Sequence, residues 1–372
     1  MTVAAIRSLT ADRLRIPFRR PFPTATGMWL ERELWLLQLT DGDGRVGVGE
    51  AVLDGDATEV METLLAALIR EAVDSAAAGE LPAREDLELH GTPGRALNAA
   101  LEAASLDLDV LPDEQGDDES GVGVNATLPS LGPEAMAEAA RQSVEAGFAT
   151  LKLKGGAERE SEVLVERVAA VRRAVGPDVA LRLDVNGAWD LPTAEDRIEA
   201  VDRFDLDYVE QPLPPGDDDA LAELRRRVRV PIAADESVES VRAARDLVER
   251  QAADTLVVKL ARVGGPSAAR EIAELAAARG VGVVMSNLFE TGVGVAAAIA
   301  VATGLPVLGP DDPPDHGLAT AGLLEHDLLT QSLILEDGRI SAPGGDGSGR
   351  LGIRLDPRAV ERFRVESVRP SR

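Results

Sequence analysis

The sequence predicts an α/β protein: a (β/α)8-type barrel of seven to eight units, capped by an α+β domain. Two observations carry this. From Val122 onward, short apolar runs alternate with amphipathic helical stretches at a period of roughly 25–30 residues, as repeated parallel βα units require. Before and after that series, the pattern changes to hairpin signals mixed with helices.

In residues 1–121, the stretch 33–39 reads as a strand. Asp41-Gly42-Asp43-Gly44 is a turn signal, and 45–51 returns as a second strand. Residues 58–78 and about 93–108 read as helices, and 111–121 as a polar, acidic linker. The barrel is expected over 122–330. Its strand candidates are 123–128, 149–154, 179–184, 207–210, 231–235, 255–260 and 280–286, with a closing eighth near 306–308. Helices are expected at 133–146, 159–175, 194–204, 218–226, 240–251 and 266–279. In the tail, 331–372, a hairpin pairs 333–336 with 339–341, 344–349 is a flexible loop, and 351–355 is a last strand. This tail is expected to pack back on the N-terminal domain.

Composition narrows the function. There are 65 acidic and 39 basic residues, a formal net charge of −26. Such a surface repels nucleic acid and anionic membranes. No run of ~18 apolar residues suggests a membrane span, and residues 1–20 lack the apolar core of a signal peptide. Cysteine is absent, which excludes disulfides and thiolate chemistry. A soluble cytoplasmic protein acting on a small molecule is the simplest reading, with the oligomeric state open. Acidic runs such as Asp117-Asp118-Glu119 and Asp217-Asp218-Asp219 read as solvated loops.

Lysine occurs only at Lys152, Lys154 and Lys259; the other 36 basic residues are arginine. Arginine stays protonated, whereas a lysine pKa can shift far enough to make a base. In a barrel, polar residues at the C-terminal strand ends face the functional mouth. Lys154, Asp184, Glu210, Asp235 and Lys259 follow one another at 24 to 30 residues, one βα unit per step. Asp184, Glu210 and Asp235 form an all-oxygen set of the kind that suits Mg²⁺, with Mn²⁺ as a substitute. Three unrelated strand-end acids are the plain alternative, but crowded acids repel without a counter-ion.

Lys152 and Lys154 lie two apart on a strand and so share a face. Two ammonium groups ~6 Å apart repel by about 2.5 kcal/mol at an effective dielectric of ~20, enough to lower a lysine pKa by roughly two units. Lys154, nearer the strand end, is therefore the candidate base, with Lys152 its electrostatic partner. Gly155-Gly156 leaves room for substrate. Lys259, four strands away, is a second acid/base or a stabilising cation; a lysine merely reaching solvent from a strand end is the bland alternative. Together these groups suit removal of a proton next to a carboxylate. The three histidines, His90, His316 and His326, are too few for a histidine metal site, and no glycine cluster has a nucleotide-binding pattern.

These residues resemble the enolase superfamily, in its muconate-lactonizing subgroup. The resemblance runs through Lys152-Leu153-Lys154, Arg182-Leu183-Asp184-Val185-Asn186, Val209-Glu210-Gln211-Pro212, Ala234-Asp235-Glu236-Ser237 and Val258-Lys259. Arg20-Pro21-Phe22 to Gly27 and Gly47-Val48-Gly49-Glu50-Ala51 look like the capping domain of that family. The resemblance implies specificity loops near residues 24–28 and 54–57, and disfavours the mandelate racemase branch because Lys259 stands where that branch has a His/Asp dyad. Residues 286–294 and 315–320 look like those of o-succinylbenzoate synthases, the dehydratases of menaquinone biosynthesis; the Asp-x-Asp of dipeptide epimerases is not found in a matching place. The implied reaction is a syn elimination of water from a cyclohexadiene carboxylate. Lys154 would be the base, Mg²⁺ would sit on Asp184, Glu210 and Asp235, and Lys259 would be a cation over the ring. Thr24, Gly27, Met28, Arg182, Asn186, Ser286, Glu290 and Thr291 are the substrate-binding candidates. A racemase or epimerase of N-acylamino acids or dipeptides would use the same lysines and metal. A non-catalytic ligand-binding barrel is the third reading.

The acidity also fits a salt-rich cytoplasm, where dense carboxylates hold water and cations. On that reading the protein loses folded structure and activity when salt is removed. Circular dichroism and assay without added salt check this, and a chain that stays folded and active counts against it.

Overall fold

The computed structural model describes residues 6–24, 27–55, 57–108, 121–128, 130–156, 160–306, 314–344 and 349–371. Three long antiparallel strands open the chain: β1 (Ile6–Thr24), β2 (Gly27–Asp41) and β3 (Val46–Ala51). Side chains alternate across this sheet. Leu9, Ala11, Trp35, Leu37 and Leu39 face the helices Glu59–Ala77 and Gly91–Leu108 in one core. Leu14, Ile16, Leu34, Leu36 and Val48 face the barrel in another. The buried face of β1 switches partway, from Leu9 and Ala11 in the first core to Leu14, Ile16 and Phe18 in the second, so no single alternation runs along it.

After the short strand β4 (Val122–Gly123) come the barrel strands β5 (Ala126–Leu128), β6 (Thr150–Lys154), β7 (Ala180–Asp184), β8 (Tyr208–Glu210), β9 (Ile232–Ala234), β10 (Thr255–Lys259) and β11 (Gly282–Ser286). Strands β5 to β11 form one parallel sheet in sequential order. Of the expected closing strand at 306–308, residues 307–308 lie outside the described residues. His316 bridges Val124 and Gly317 bridges Ser286, both parallel, so two residues join the edges of the sheet. The buried His316 ring accepts the Met285 amide proton through Nδ1 at 3.1 Å. Burial and the nearby Arg182 hold its pKa down to about 4, so it stays neutral.

The tail forms the hairpin β12 (Ile334–Glu336) and β13 (Arg339–Ser341), which pairs with β4, and then β14 (Arg364–Val368), which pairs antiparallel with β1. The expected strand at 351–355 is a loop with one bridge, Leu355 to Leu329. Asp107 captures its start: the carbonyl accepts from Arg350 N–H and the side chain from Leu351 N–H. Helix Gly292–Ala302 was not legible, because it is apolar all round and has no amphipathic period. The Asp217–Asp219 run is a helix start rather than a loop, with the Asp217 side chain accepting from Ala220 N–H at 3.0 Å. The expected linker at 111–121 lies almost wholly outside the described residues, as do the Asp117-Asp118-Glu119 run and residues 345–348 of the expected loop.

Two contacts join the cap to the segment after β11. Phe18, Phe22 and Trp29 of the β1–β2 hairpin surround Phe289 of the loop after β11, with Phe22 and Phe289 centroids 4.7 Å apart. Glu50, at the end of β3, accepts from Thr291 N–H at 3.1 and 3.2 Å, from Thr291 Oγ1–H at 2.6 Å and from Gly294 N–H at 3.3 Å. A cap-domain carboxylate thus caps the first turn of barrel helix Gly292–Ala302. Burial first, and the charge of Glu290 second, push Glu50 up to about 7 from 4.5, against the bonds from Thr291 and the charge of Arg32.

Two expectations follow. A Cβ at Gly49 would stand 2.0 Å from the Ala100 carbonyl oxygen, so Gly49→Ala must push β3 off helix Gly91–Leu108. It should cost about 1–3 kcal/mol in denaturant unfolding; a loss under about 0.5 kcal/mol contradicts the packing. Because folding raises the Glu50 pKa, stability from this group is full below pH 4.5 and is lost as pH rises through about 7. Melting temperature should fall over that window in the wild type and fall less in Glu50→Gln.

Candidate active site

Short strands ending in register bring the predicted residues together. Lys154, Asp184 and Glu210 are direct partners across β6, β7 and β8. Asp235 follows the last residue of β9, and Lys259 closes β10 opposite Ser286. Asp184, Glu210 and Asp235 are all buried. Each meets an ammonium group. Lys154 Nζ donates to Asp184 Oδ2 at 2.6 Å and to Asn186 Oδ1 at 3.0 Å. Lys152 Nζ reaches the same Asp184 oxygen at 3.0 Å and Glu210 Oε1 at 2.8 Å. Lys259 Nζ donates to Asp235 Oδ2 at 2.8 Å.

Sharing Asp184 Oδ2 puts Lys152 and Lys154 on one face, as their spacing predicted. The electrostatic outcome for Lys152 differs from the expectation of simple repulsion. Burial works to lower its pKa, but the charges of Asp184 and Glu210 outweigh burial and hold it well above the ordinary lysine value. Burial and then the Asp184 charge push Glu210 up to about 7. At Asp184 burial is overcome by Lys152 and Lys154, which hold it down at about 2. Asp235 is held low by Lys259 and Arg262 against its burial. Lys154 has the most exposed side chain of the three lysines, 33% against 12% for Lys152 and 11% for Lys259, so it is the one open to a substrate.

Among the described residues no three acidic or histidine side chains stand as a ready metal cage. The donor set nonetheless fits a hard divalent cation: three buried carboxylates, oxygen only, whose charge is met by ammonium groups that a cation can replace. Beside them Glu236 Oε2 is buried without a hydrogen-bond partner.

The substrate-binding candidates divide. Asn186 stands at the mouth with left-handed backbone, φ 50°, between Lys154 and Glu236. Ser286 ends β11 beside Lys259, buried, with its hydroxyl 3.4 Å from the Gly317 carbonyl. Thr24 and Gly27 pair at the tip of the cap hairpin, and Met28 is exposed next to them. The other three have partners within the protein. Arg182 lies one pleat repeat below the mouth, stacked 4.8 Å over Tyr208. Its guanidinium bonds Asp207, Asn125 and the Asp315 carbonyl, so it braces the barrel seam. Thr291 is fully buried as the helix cap bound to Glu50. Glu290 is buried and folds back onto the Leu288 amide, with Arg32 as its nearby opposite charge.

Sequence reasoning missed Arg262. It sits three residues after Lys259, where one arginine among 36 gave no signal. Its Nη1 donates to Asp235 Oδ1 at 2.7 Å, and its other donors reach Asp54 of the cap. Gln211 appeared only as part of a motif. Its side chain oxygen accepts from Asp235 N–H at 2.9 Å and Ser237 N–H at 3.1 Å, fixing the turn that presents Asp235.

The chain is similar to known proteins over most of its length. Residues 135–359 match the family described as enolase C-terminal domain-like. An o-succinylbenzoate synthase from Thermobifida fusca (strain YX) is 44% identical over 241 residues, 64% of this chain and 72% of that one. An N-succinylamino acid racemase from Amycolatopsis sp is 32% identical over 375 residues, 96% of each chain. The crystal structure of a dipeptide epimerase from Cytophaga hutchinsonii, complexed with Mg and D-Ala-L-Val, shares the fold. Its TM-score is 0.79 at 20% identity, over 98% of this chain and 100% of that one. With its capped parallel barrel and its matching family segment, the chain belongs to the enolase superfamily.

Proposed function

We propose that this protein is an o-succinylbenzoate synthase, a hydro-lyase that removes water from 2-succinyl-6-hydroxy-2,4-cyclohexadiene-1-carboxylate. The observation that carries the reaction class is Lys154: an accessible lysine at a strand end, beside three buried carboxylates, with Lys259 four strands away. The choice of dehydration rests on the 44% identity to an o-succinylbenzoate synthase.

Lys154 takes the proton alpha to the substrate carboxylate, and the C–H electron pair moves toward that carboxylate. The electrons then return to form the ring double bond as the C–O bond breaks. The Lys154 ammonium, on the same face, gives its proton to the departing hydroxyl, so elimination is syn and water leaves. Lys259 lies on the other side as a fixed cation for the ring. Mg²⁺, or Mn²⁺ in its place, would be held by Asp184, Glu210 and Asp235 and would supply positive charge beside the substrate carboxylate. A dication ~4 Å from one new unit charge contributes about 8 kcal/mol at an effective dielectric of ~20, an upper value.

One observation favours a second activity in the same site. The racemase relative matches 96% of both chains, and Lys154 and Lys259 are separated by the strands that carry the three acids. Proton removal by one lysine and return by the other would invert an alpha carbon.

The purified protein with Mg²⁺ should therefore dehydrate the cyclohexadiene carboxylate, and Lys154→Ala should lose about 100- to 10,000-fold in kcat. Full turnover by Lys154→Ala would overturn the mechanism. Deuterium entry at the alpha carbon of an N-succinylamino acid in D₂O, with no dehydration of the first substrate, would assign racemisation instead.

A further inference from the structure

The hydrogen bonds of Lys154 lead to a residue that the reaction above does not use. Asn186 Oδ1 accepts from Lys154 Nζ at 3.0 Å, and Asn186 Nδ2 donates to Glu236 Oε1 at 3.0 Å. The Asn186 backbone is held by its own N–H, which donates to Asp184 Oδ1 at 3.1 Å. Glu236 follows Asp235 directly and keeps its other oxygen buried and unpartnered.

We propose that Glu236 is a positioning residue, which fixes the Asn186 amide with its oxygen toward Lys154 so that the lysine lone pair stays free for the substrate. This rests on Lys154 being the base. The two ends of a side-chain amide have nearly the same shape, and neighbours decide which way it faces. Glu236 Oε1 is an acceptor, so the end of the Asn186 amide that faces it is Nδ2. Oδ1 is then left for the lysine. A neutral amine in that place donates one N–H to Oδ1 and keeps its lone pair. An amide turned the other way would point N–H donors at the amine and occupy that lone pair. Among the described residues Lys154 has one further partner, Asp184, which it shares with Lys152. Asn186 is therefore the uncharged contact that sets the direction of the base.

Glu236→Gln tests this, because glutamine can donate and no longer dictates the amide. Its kcat should fall at least about tenfold with KM within about twofold, as for loss of an interaction that acts on the reacting geometry. Glu236→Asp, which still only accepts, should recover most of the loss. The chain has three lysines, so ¹⁵N-lysine spectra of the side-chain nitrogens, assigned by single lysine variants, give a readout independent of turnover. In Glu236→Gln the Lys154 signal should move while those of Lys152 and Lys259 stay. Unchanged kcat, a stationary Lys154 signal, or equal movement of all three signals overturns the proposal. If Glu236→Gln does not fold, Asn186→Ala must show the same loss in kcat and the same selective shift. A wild type that neither dehydrates the cyclohexadiene carboxylate nor exchanges N-succinylamino acids would sink the functional reading, and the spectra would still decide the role of Glu236.

Discussion

Four carboxylates, Asp184, Glu210, Asp235 and Glu236, crowd the end of one parallel sheet, and most of the surrounding structure answers that crowding. Bare, they would repel and lose their hydration. Lys152, Lys154, Lys259 and Arg262 stand against the first three, each within ordinary hydrogen-bond distance. Removing one partner from such a buried set typically costs about 3–5 kcal/mol, because the other charge is left uncompensated. The register of β6, β7 and β8 is therefore tightly specified: a slip of one residue would turn Lys154, Asp184 or Glu210 to the other face.

The same balance ties the cap to the site. Arg262 bonds Asp235 with one nitrogen and Asp54 of the cap with others. Helix Gly91–Leu108 reinforces this segment, since Arg95 Nε donates to the Arg262 carbonyl at 2.8 Å and Asn98 Nδ2 to the Gly264 carbonyl at 2.6 Å. The cap sheet can serve two cores because its alternate side chains serve opposite faces. Glu50 and the aromatic group around Phe289 then connect the cap to the loop between β11 and the next helix.

The barrel strands and the five strand-end groups were legible in the sequence, because each βα unit repeats one pattern: an apolar run, a polar end, an amphipathic helix. Closure of the barrel was not. His316 and Gly317 form single bridges, and two residues have no period to detect. Helix Gly292–Ala302 was hidden by its uniform apolar composition. Arg182 and Thr291 stand next to site residues in sequence, which is why they read as substrate contacts. The first is drawn down to the seam by Asp207 and Asn125, and the second is claimed by Glu50. Partners far away in sequence decided both, and local pattern carries no trace of them. The lysine pair was legible as a pair, but the field around Lys152 depends on the acids of neighbouring strands.

Central to all of this is the proton that Lys154 is proposed to remove. The most direct measurement is turnover of the cyclohexadiene carboxylate carrying deuterium at the alpha carbon. If Lys154 breaks that bond, the labelled substrate turns over more slowly than the unlabelled one under single-turnover conditions, and the label leaves the ring. Product formed with the alpha deuterium still in place would contradict the proposed chemistry.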